Sequence, residues 1–422
     1  MKICAIICEY NPLHWGHLYH IQKARELSGA DAILCIQGGN FTQRGEPAIV
    51  NKYVRSKMAL EANADIVVQI PTAYCCSSAE VFAMAGVKIA NSFTNVTNIA
   101  FGVETDNFEL LKQLAKYLAT EPAEYKQKLK EHLDKGNSLP VSRQRAIQDL
   151  IKEGLTEFKD VEATTTILEQ PNNILAIEYL KALHKTKSKI EPIFTTRTKN
   201  NYNDADINGR DSSATAIRTR LLRKGTARSI KKLLPTTSYT LIKDEIKEYG
   251  LPDMQLFSDL CMYAVKTKTP KEIANIYDVS EGLENRFYEF AKHHKDINEL
   301  LLNVKTKRYS FSRLKRIVLR ILLNIDRKTI ESIYKIDKLP YIKVLAFRAD
   351  KRELLKDLDA DTNIVIRNNM LAKEKTPLFE ELTYVEERAN AVYNLLLKKS
   401  KNIPTYAPDI YTKCIQYVPK DK

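Results

Sequence analysis

The 422-residue sequence is short of several things, and each shortage excludes a class of protein. Nowhere does it approach the roughly 18 consecutive apolar residues that a membrane-spanning helix needs. Within ten residues Met1 leads into the polar Glu9, Tyr10 and Asn11, without the basic start, apolar run and cleavage site of a secretory leader. A cytoplasmic protein with no membrane partner is the expectation. The cysteines are odd in number, seven, and none stand in C-x-x-C spacing, so Cys4, Cys8, Cys35, Cys75 and Cys76 read as reduced core residues rather than a disulfide or zinc framework. Aspartates at divalent-cation spacing are missing, and no protein-built metal cage is expected. Neither G-x-G-x-x-G nor G-x-x-x-x-G-K-[ST] occurs, which removes two familiar phosphate-cradling turns. Internal repeats and low-complexity tracts are lacking, and 44% hydrophobic with 28% charged residues is the composition of a folded globular chain.

Size and charge come first among what is present. This length suggests two or three domains with ample apolar surface to bury. A formal net charge of +14 makes a polyanionic partner plausible, because such a field attracts phosphate backbones at long range, although a basic balance also serves solubility alone.

The first half alternates short apolar runs with amphipathic stretches, the pattern of an α/β fold in which helices cover a parallel sheet. KICAIIC, DAILCIQ, DIVVQIP, NIAFGV and IEPIFTT are the expected strands. Helices are expected at Leu18 to Leu27, Lys52 to Ala62, Ser78 to Ala90 and Asn107 to Leu118, with one or two surface helices between Glu121 and Ala163. PNNILAIEYLKALHK starts on Pro171 and two asparagines, a good helix opening, and should be the helix before the last strand. From about Ser229 strands nearly vanish and helical periodicity takes over, which places a boundary near Lys224 to Ser229.

Against the scarcity of histidine, seven in the whole chain, three lie within CEYNPLHWGHLYH, directly after the first expected strand. In an open parallel sheet the loop after the first strand is the usual ligand cradle. His14 and His17, one turn apart where a helix begins, can aim ring N–H groups at one anion, reinforced by the free N–H groups and positive end of the helix. Gly16 between them is expected to let a ligand approach the backbone. Such a site suits an α-phosphate whose charge rises during attack. NPLHWGHLYHI resembles the H-x-G-H signature of the nucleotidyltransferase superfamily, which implies attack on ATP at the α-phosphate and release of pyrophosphate. SSATAIRTRLL is similar to the I-S-S-T-x-I-R motif of those enzymes: Ser213, Thr215 and Arg218 align, while Ala214 replaces the second serine and removes one hydroxyl contact. Hydroxyls at a helix start and an arginine one turn in can grip the departing β and γ phosphates.

A narrower resemblance covers Met1 to about Phe347. EYNPLHWGHLYHI, FTQRGEPAIVNKYVRSKMAL, AFGVE, PNNILAIEYL, FTTR, EGLENRF and TKRYSFSRLKR together resemble the tRNA(Met) cytidine acetate ligase family. This implies a Rossmann-like nucleotidyltransferase domain over residues 1–228, followed by a mainly α-helical tRNA-binding domain over residues 229–422. The implied reaction joins acetate to ATP as acetyl adenylate, then acetylates the wobble cytidine of elongator tRNA(Met) to N(4)-acetylcytidine. Carried over residue by residue, the ATP loop is Ile7, Cys8, Glu9, Tyr10, Asn11, Pro12, Leu13, His14, Trp15, Gly16, His17, Leu18, Tyr19 and His20. Gly102, Asn172 and Arg197 complete the nucleotide pocket, with His14 and His17 as the catalytic pair. Gln43 and Arg44 are the acetate candidates, since a small carboxylate needs one or two donors and an apolar wall. Glu46, Lys52 and Arg55 rise at the same edge, Lys52 and Arg55 being equally readable as ordinary helix-surface charges. Magnesium is expected to arrive bridged by ATP oxygens, keeping most of its waters.

Residues 301–325 hold seven basic residues and no acidic one, with Tyr309 and Phe311 interleaved. Lysines and arginines neutralise phosphates, and exposed aromatics stack on unpaired bases. Lys305, Lys307, Arg308, Arg313, Lys315 and Arg316 are therefore the tRNA-facing candidates, and no DNA partner is expected. The apolar stripe of Leu314, Ile317, Val318, Ile321 and Leu322 equally describes a core helix with a solvated basic face. Two alternatives stand beside the ligase: a small-molecule adenylyltransferase of the pantetheine phosphate or nicotinate mononucleotide kind, which needs no large basic helical half, and a non-catalytic RNA-binding protein. A class I aminoacyl-tRNA synthetase is disfavoured because no K-M-S-K-S stretch occurs.

Overall fold

The computed structural model describes residues 1–196, 212–358, 364–365, 376–399 and 414–418. The five strands of the first half form as expected: β1 Ile3–Cys8, β2 Ala32–Gly38, β3 Ile66–Ile70, β4 Val96–Val103 and β5 Glu191–Thr196. They pair in parallel in the order β5-β4-β1-β2-β3. After β3 the chain crosses to the other side of β1, so strand order reverses between β1 and β4 and the crevice opens there, beyond the strand ends. Both faces of β1 are covered. Ile3 and Ala5 join one apolar cluster, while Cys4, Ile6 and Cys8 join the other, the two-residue alternation of a strand buried on both sides. All seven cysteines are buried and none is bridged.

The helices Trp15–Ser28, Lys52–Glu61, Ala79–Asn91, Phe108–Thr120 and Pro171–Lys185 fall where the periodicity puts them. The stretch expected to be superficial, residues 121–163, holds Ala123–Asp134 and Leu139–Lys152 and begins a third helix, Val161–Glu169. These helices are amphipathic: Tyr125, Ala146, Ile147 and Leu150 enter the main apolar cluster.

The second half is mainly helical, as expected, and strands nearly vanish without disappearing. β6 Ile342–Arg348 runs antiparallel beside β3, with β7 Ile364–Val365 and β8 Ile415–Tyr417 beside it. The physical reason is the edge of β3, a row of backbone groups that needs a partner, and the apolar alternate residues of IKVLAFR supply one with its side chains buried. The main apolar cluster holds residues from both halves, Val81 and Leu314 among them. Residue 228 thus marks a change of element type, while sheet and core run across it.

Candidate active site

The helix Trp15–Ser28 is capped by its own signature. His14 is the N-cap, and its Nδ1 accepts from the Gly16 N–H at 3.1 Å; the His14 N–H donates to His17 Nδ1 at 3.3 Å. The two rings stack with centroids 3.8 Å apart. A neutral imidazole that accepts on Nδ1 carries its proton on Nε2. The reciprocal cap therefore fixes the tautomer of both rings and makes each Nε2 a donor. A Cβ at Gly16 would lie 3.0 Å from His14 Cε1, so the glycine also makes room for the His14 ring.

Within the loop Cys8, Tyr10 and Leu13 are buried in the core, and Tyr10 meets the His17 ring edge-on at 5.1 Å. Those three shape the loop. Asn11 Oδ1 accepts from the Ile49 N–H at 2.8 Å, and the Arg218 guanidinium donates to the Asn11 carbonyl at 2.8 Å. Ile7, Glu9, Trp15, Leu18 and His20 are half-buried, whereas Gly16 and Tyr19 are exposed and Pro12 is buried.

A second loop, after β2, reaches the same centre. Glu9 Oε1 accepts from the Gln43 backbone N–H at 2.6 Å, and Gln43 Nε2 donates to the Ser77 carbonyl at 3.1 Å. Burial pushes the Glu9 carboxyl above the usual range, against the opposing pull of that N–H, Arg55, Arg218 and Arg44. Arg44 is exposed. The surface-charge reading of Lys52 and Arg55 is corrected: both are buried. Arg55 donates to the carbonyls of Glu9, at 2.6 Å, of Val50, at 3.2 Å, and of Gly39, tying the loops after β1 and β2 together. Lys52 Nζ donates to Gln69 Oε1 at 2.9 Å. No sequence signal separates these cations from solvated ones, since both sit at ordinary helix positions.

Ser213 caps the helix Ala214–Lys224, its hydroxyl accepting from the Ala216 N–H at 3.2 Å, and Thr215 Oγ1 accepts from Arg218 at 3.2 Å. One arginine thus links this helix start to the histidine loop. Gly102 lies at the carboxyl end of β4, paired with Thr195 of β5. Asn172 donates its side-chain amide to Glu104 Oε1 at 2.6 Å and its backbone N–H to Oε2 at 3.2 Å. Glu104, the last residue of AFGVE, is a site-edge residue whose role no local sequence pattern marks. Arg197 lies outside the described residues. A cavity of about 390 Å³ opens beside Glu104 and Gln170, but Glu104, Asp106, Asp160 and Glu162 line it and none of its lining comes from the histidine loop. Its charge repels a polyphosphate. Among the described residues no group of three His, Cys, Asp or Glu side chains is placed to hold a metal ion.

The basic segment is only partly a free surface. Lys305 and Lys307 are exposed. Arg308 pairs with Glu281, Arg313 donates to the Asp278 carbonyl at 2.6 Å, and Lys315 reaches Glu46 Oε1 at 2.5 Å. Burial lowers Arg316 to about 10. The expectation of exposed stacking aromatics is corrected at Tyr309, which is buried with its hydroxyl donating to the Ser280 carbonyl at 3.0 Å, under the Arg313 guanidinium. In this half the apolar stripe of the helix Phe311–Leu322 is core.

Residues 1–406 match the family model described as HIGH Nucleotidyl Transferase, and the chain is a nucleotidyltransferase of that class. More narrowly, it is 39% identical over 369 residues to the tRNA(Met) cytidine acetate ligase of Clostridium novyi (strain NT), covering 87% of this chain and 89% of that protein. The tRNA(Met) cytidine acetate ligase of Caldicellulosiruptor saccharolyticus is 38% identical over 403 residues, 94% of this chain and 95% of that one. The chain belongs to the tRNA(Met) cytidine acetate ligase family. Thermotoga maritima TmcAL in its apo crystal form superposes with a TM-score of 0.92 at 30% identity, covering 99% of this chain and all of that one. The same protein bound with alpha-thio ATP superposes at 0.88.

Proposed function

We propose that this chain activates acetate with ATP and passes the acetyl group to the wobble cytidine of elongator tRNA(Met). The observation that carries the reading is the reciprocal histidine cap. It holds Nδ1 of both rings in the cap and puts the proton of each on Nε2, at a helix N-terminus beside the point where strand order reverses, a setting suited to an α-phosphate that gains charge as it is attacked. In the first step an acetate oxygen forms a bond to the α-phosphorus and the bond to the bridging oxygen breaks, releasing pyrophosphate. His14 and His17 stabilise the α-phosphate, and Arg218 with the Ser213-capped helix start takes the departing phosphates. In the second step the exocyclic amine of cytidine attacks the acetyl carbon, AMP leaves, and the amine gives up a proton.

Gln43 and Arg44 are the residues proposed for the acetate carboxylate, with Gly102 and Asn172 on the nucleoside side. Magnesium is proposed to enter with ATP as co-substrate, bridged by ATP oxygens and keeping most of its waters. Lys305 and Lys307 offer the tRNA backbone the most accessible charge of the basic segment. No described helix is long and apolar enough to cross a membrane, and a cytoplasmic location fits a tRNA substrate.

The test measures pyrophosphate exchange into ATP with a panel of small carboxylates, then adds bulk tRNA and looks for acylated nucleosides. Acetate-dependent exchange and N(4)-acetylcytidine are expected. Exchange with no acid, alongside adenylation of a small phosphate ester, would turn the assignment to the adenylyltransferase reading.

A further inference from the structure

The basic helix Phe311–Leu322 touches the adenylating centre with its own backbone. Residues 42–46 form a tight turn, with the Thr42 N–H donating to the Glu46 carbonyl and the Gly45 N–H to the Thr42 carbonyl, each at 2.9 Å. Gly45 has φ +79°, and a Cβ there would lie 2.8 Å from the Arg316 nitrogen and the Lys315 carbonyl carbon. No other residue type fits that contact without moving the helix or the turn. Beside it Lys315 Nζ meets Glu46 Oε1 at 2.5 Å, with both side chains about one-third exposed or less. The other side of the turn presents Gln43, whose N–H holds Glu9 and whose amide holds Ser77. Glu9 in turn lies in the loop that Arg218 and Arg55 fix.

From this geometry we infer that Lys315 and Glu46 are positioning residues for acid activation: their ion pair sets the turn that carries Gln43 and Arg44, before any RNA is bound. The inference rests on the proposed ligase reading. It gives Lys315 a task different from that of its exposed basic neighbours. A lysine that only neutralises tRNA phosphate has no effect on a reaction from which RNA is absent. One that holds the turn alters the first half-reaction, because displacement of a donor by about 1 Å can cost up to ~100-fold.

The experiment is acetate-dependent pyrophosphate exchange without tRNA, comparing the native chain with Lys315→Met, Glu46→Gln and the double variant. Lys128→Met is a matched control, since Lys128 of the helix Ala123–Asp134 pairs at the same 2.5 Å with Glu153, which caps the helix Leu139–Lys152. About a 10-fold fall in kcat/KM for acetate is expected in each single variant, with little further loss in the double, because each already breaks the shared contact. ATP affinity, measured separately by calorimetry, should stay within about two-fold, and Lys315→Arg should recover part of the loss. Melting curves within the range of Lys128→Met separate this effect from misfolding. Native exchange with unchanged exchange in Lys315→Met and Glu46→Gln overturns the inference alone. Equal losses in acetate and ATP terms, or losses that simply add, also overturn it. Absence of exchange in the native chain overturns the ligase reading and the inference with it.

Discussion

Replacing His14 separates two jobs that one ring performs. Its Nδ1 caps the helix Trp15–Ser28 by accepting from Gly16, and the same bond fixes the proton on Nε2. His14→Ala removes both the cap and the donor. Loss of an N-cap acceptor costs about 1 kcal/mol of stability, and loss of one preorganised donor to developing charge costs about 3 to 4 kcal/mol of transition-state energy, or ~100- to 1,000-fold in rate. His14→Ser restores a good cap acceptor but places no donor at the reach of Nε2. Its denaturant midpoint should return close to native, while acetate-dependent exchange stays about as low as in His14→Ala. Urea unfolding and exchange kinetics on the same preparations give the two readings. Exchange in His14→Ser above about a third of native would refute the donor role, because a cap alone would then account for the histidine.

Arg218→Lys should lower kcat/KM for ATP by roughly 10- to 100-fold with little change in melting, since a lysine cannot span the Asn11 carbonyl and Thr215 hydroxyl while facing a phosphate. Glu245 is buried against Asn51, and burial pushes its carboxyl from 4.5 up to about 7. Between those values the native chain holds a proton that the unfolded chain has released, so stability should fall as pH rises through that window and level off above it. Glu245→Gln should flatten the profile and be more stable than native at pH 8 by about 2 kcal/mol in urea unfolding; a steeper profile would contradict the assignment. Lys305→Ala with Lys307→Ala should weaken tRNA binding and reduce the salt slope by about 1 per residue, leaving exchange without tRNA at native level.

The parts of the molecule that could be read from the sequence are those where the local pattern and the fold demand the same thing. Continuous apolar strands followed by capped helices locate β1 to β5, and a histidine pair opening the first helix marks the proposed site, since helix starts beyond strand ends suit anions. Positions set by distant partners left no such mark. Lys52 and Arg55 look like any helix cations, yet each is buried by what surrounds its own helix. Tyr309 sits among basic residues as a stacking aromatic would, but Ser280 and Arg313 enclose it. β6 carried a readable signal, a short apolar run in IKVLAFR after Pro340, which the helical periodicity on either side obscured.

The second half also builds the centre it was expected only to serve. The helix Pro377–Leu396 returns beside the loops after β2 and β3, where Glu386 accepts from Gln69 at 2.6 Å and from the Thr72 hydroxyl at 3.0 Å. Asn390 accepts from the Asn40 amide at 3.2 Å, and Tyr393 donates to the Ala48 carbonyl at 3.0 Å. Lys52, one turn from Arg55, lies 4.0 Å from Glu386, so its buried charge faces a carboxylate supplied by the far end of the chain. A buried cation is tolerated only with such a partner, and leaving one unpaired costs about 3 to 5 kcal/mol. Arg55 and the Gln43 turn that hold the histidine loop therefore depend on contacts more than 300 residues away in sequence. Under the proposed ligase reading, acid activation and RNA capture are thus not separable along the chain, because the helical half supplies both the exposed Lys305 and Lys307 and the side chains that back the loops after β2 and β3.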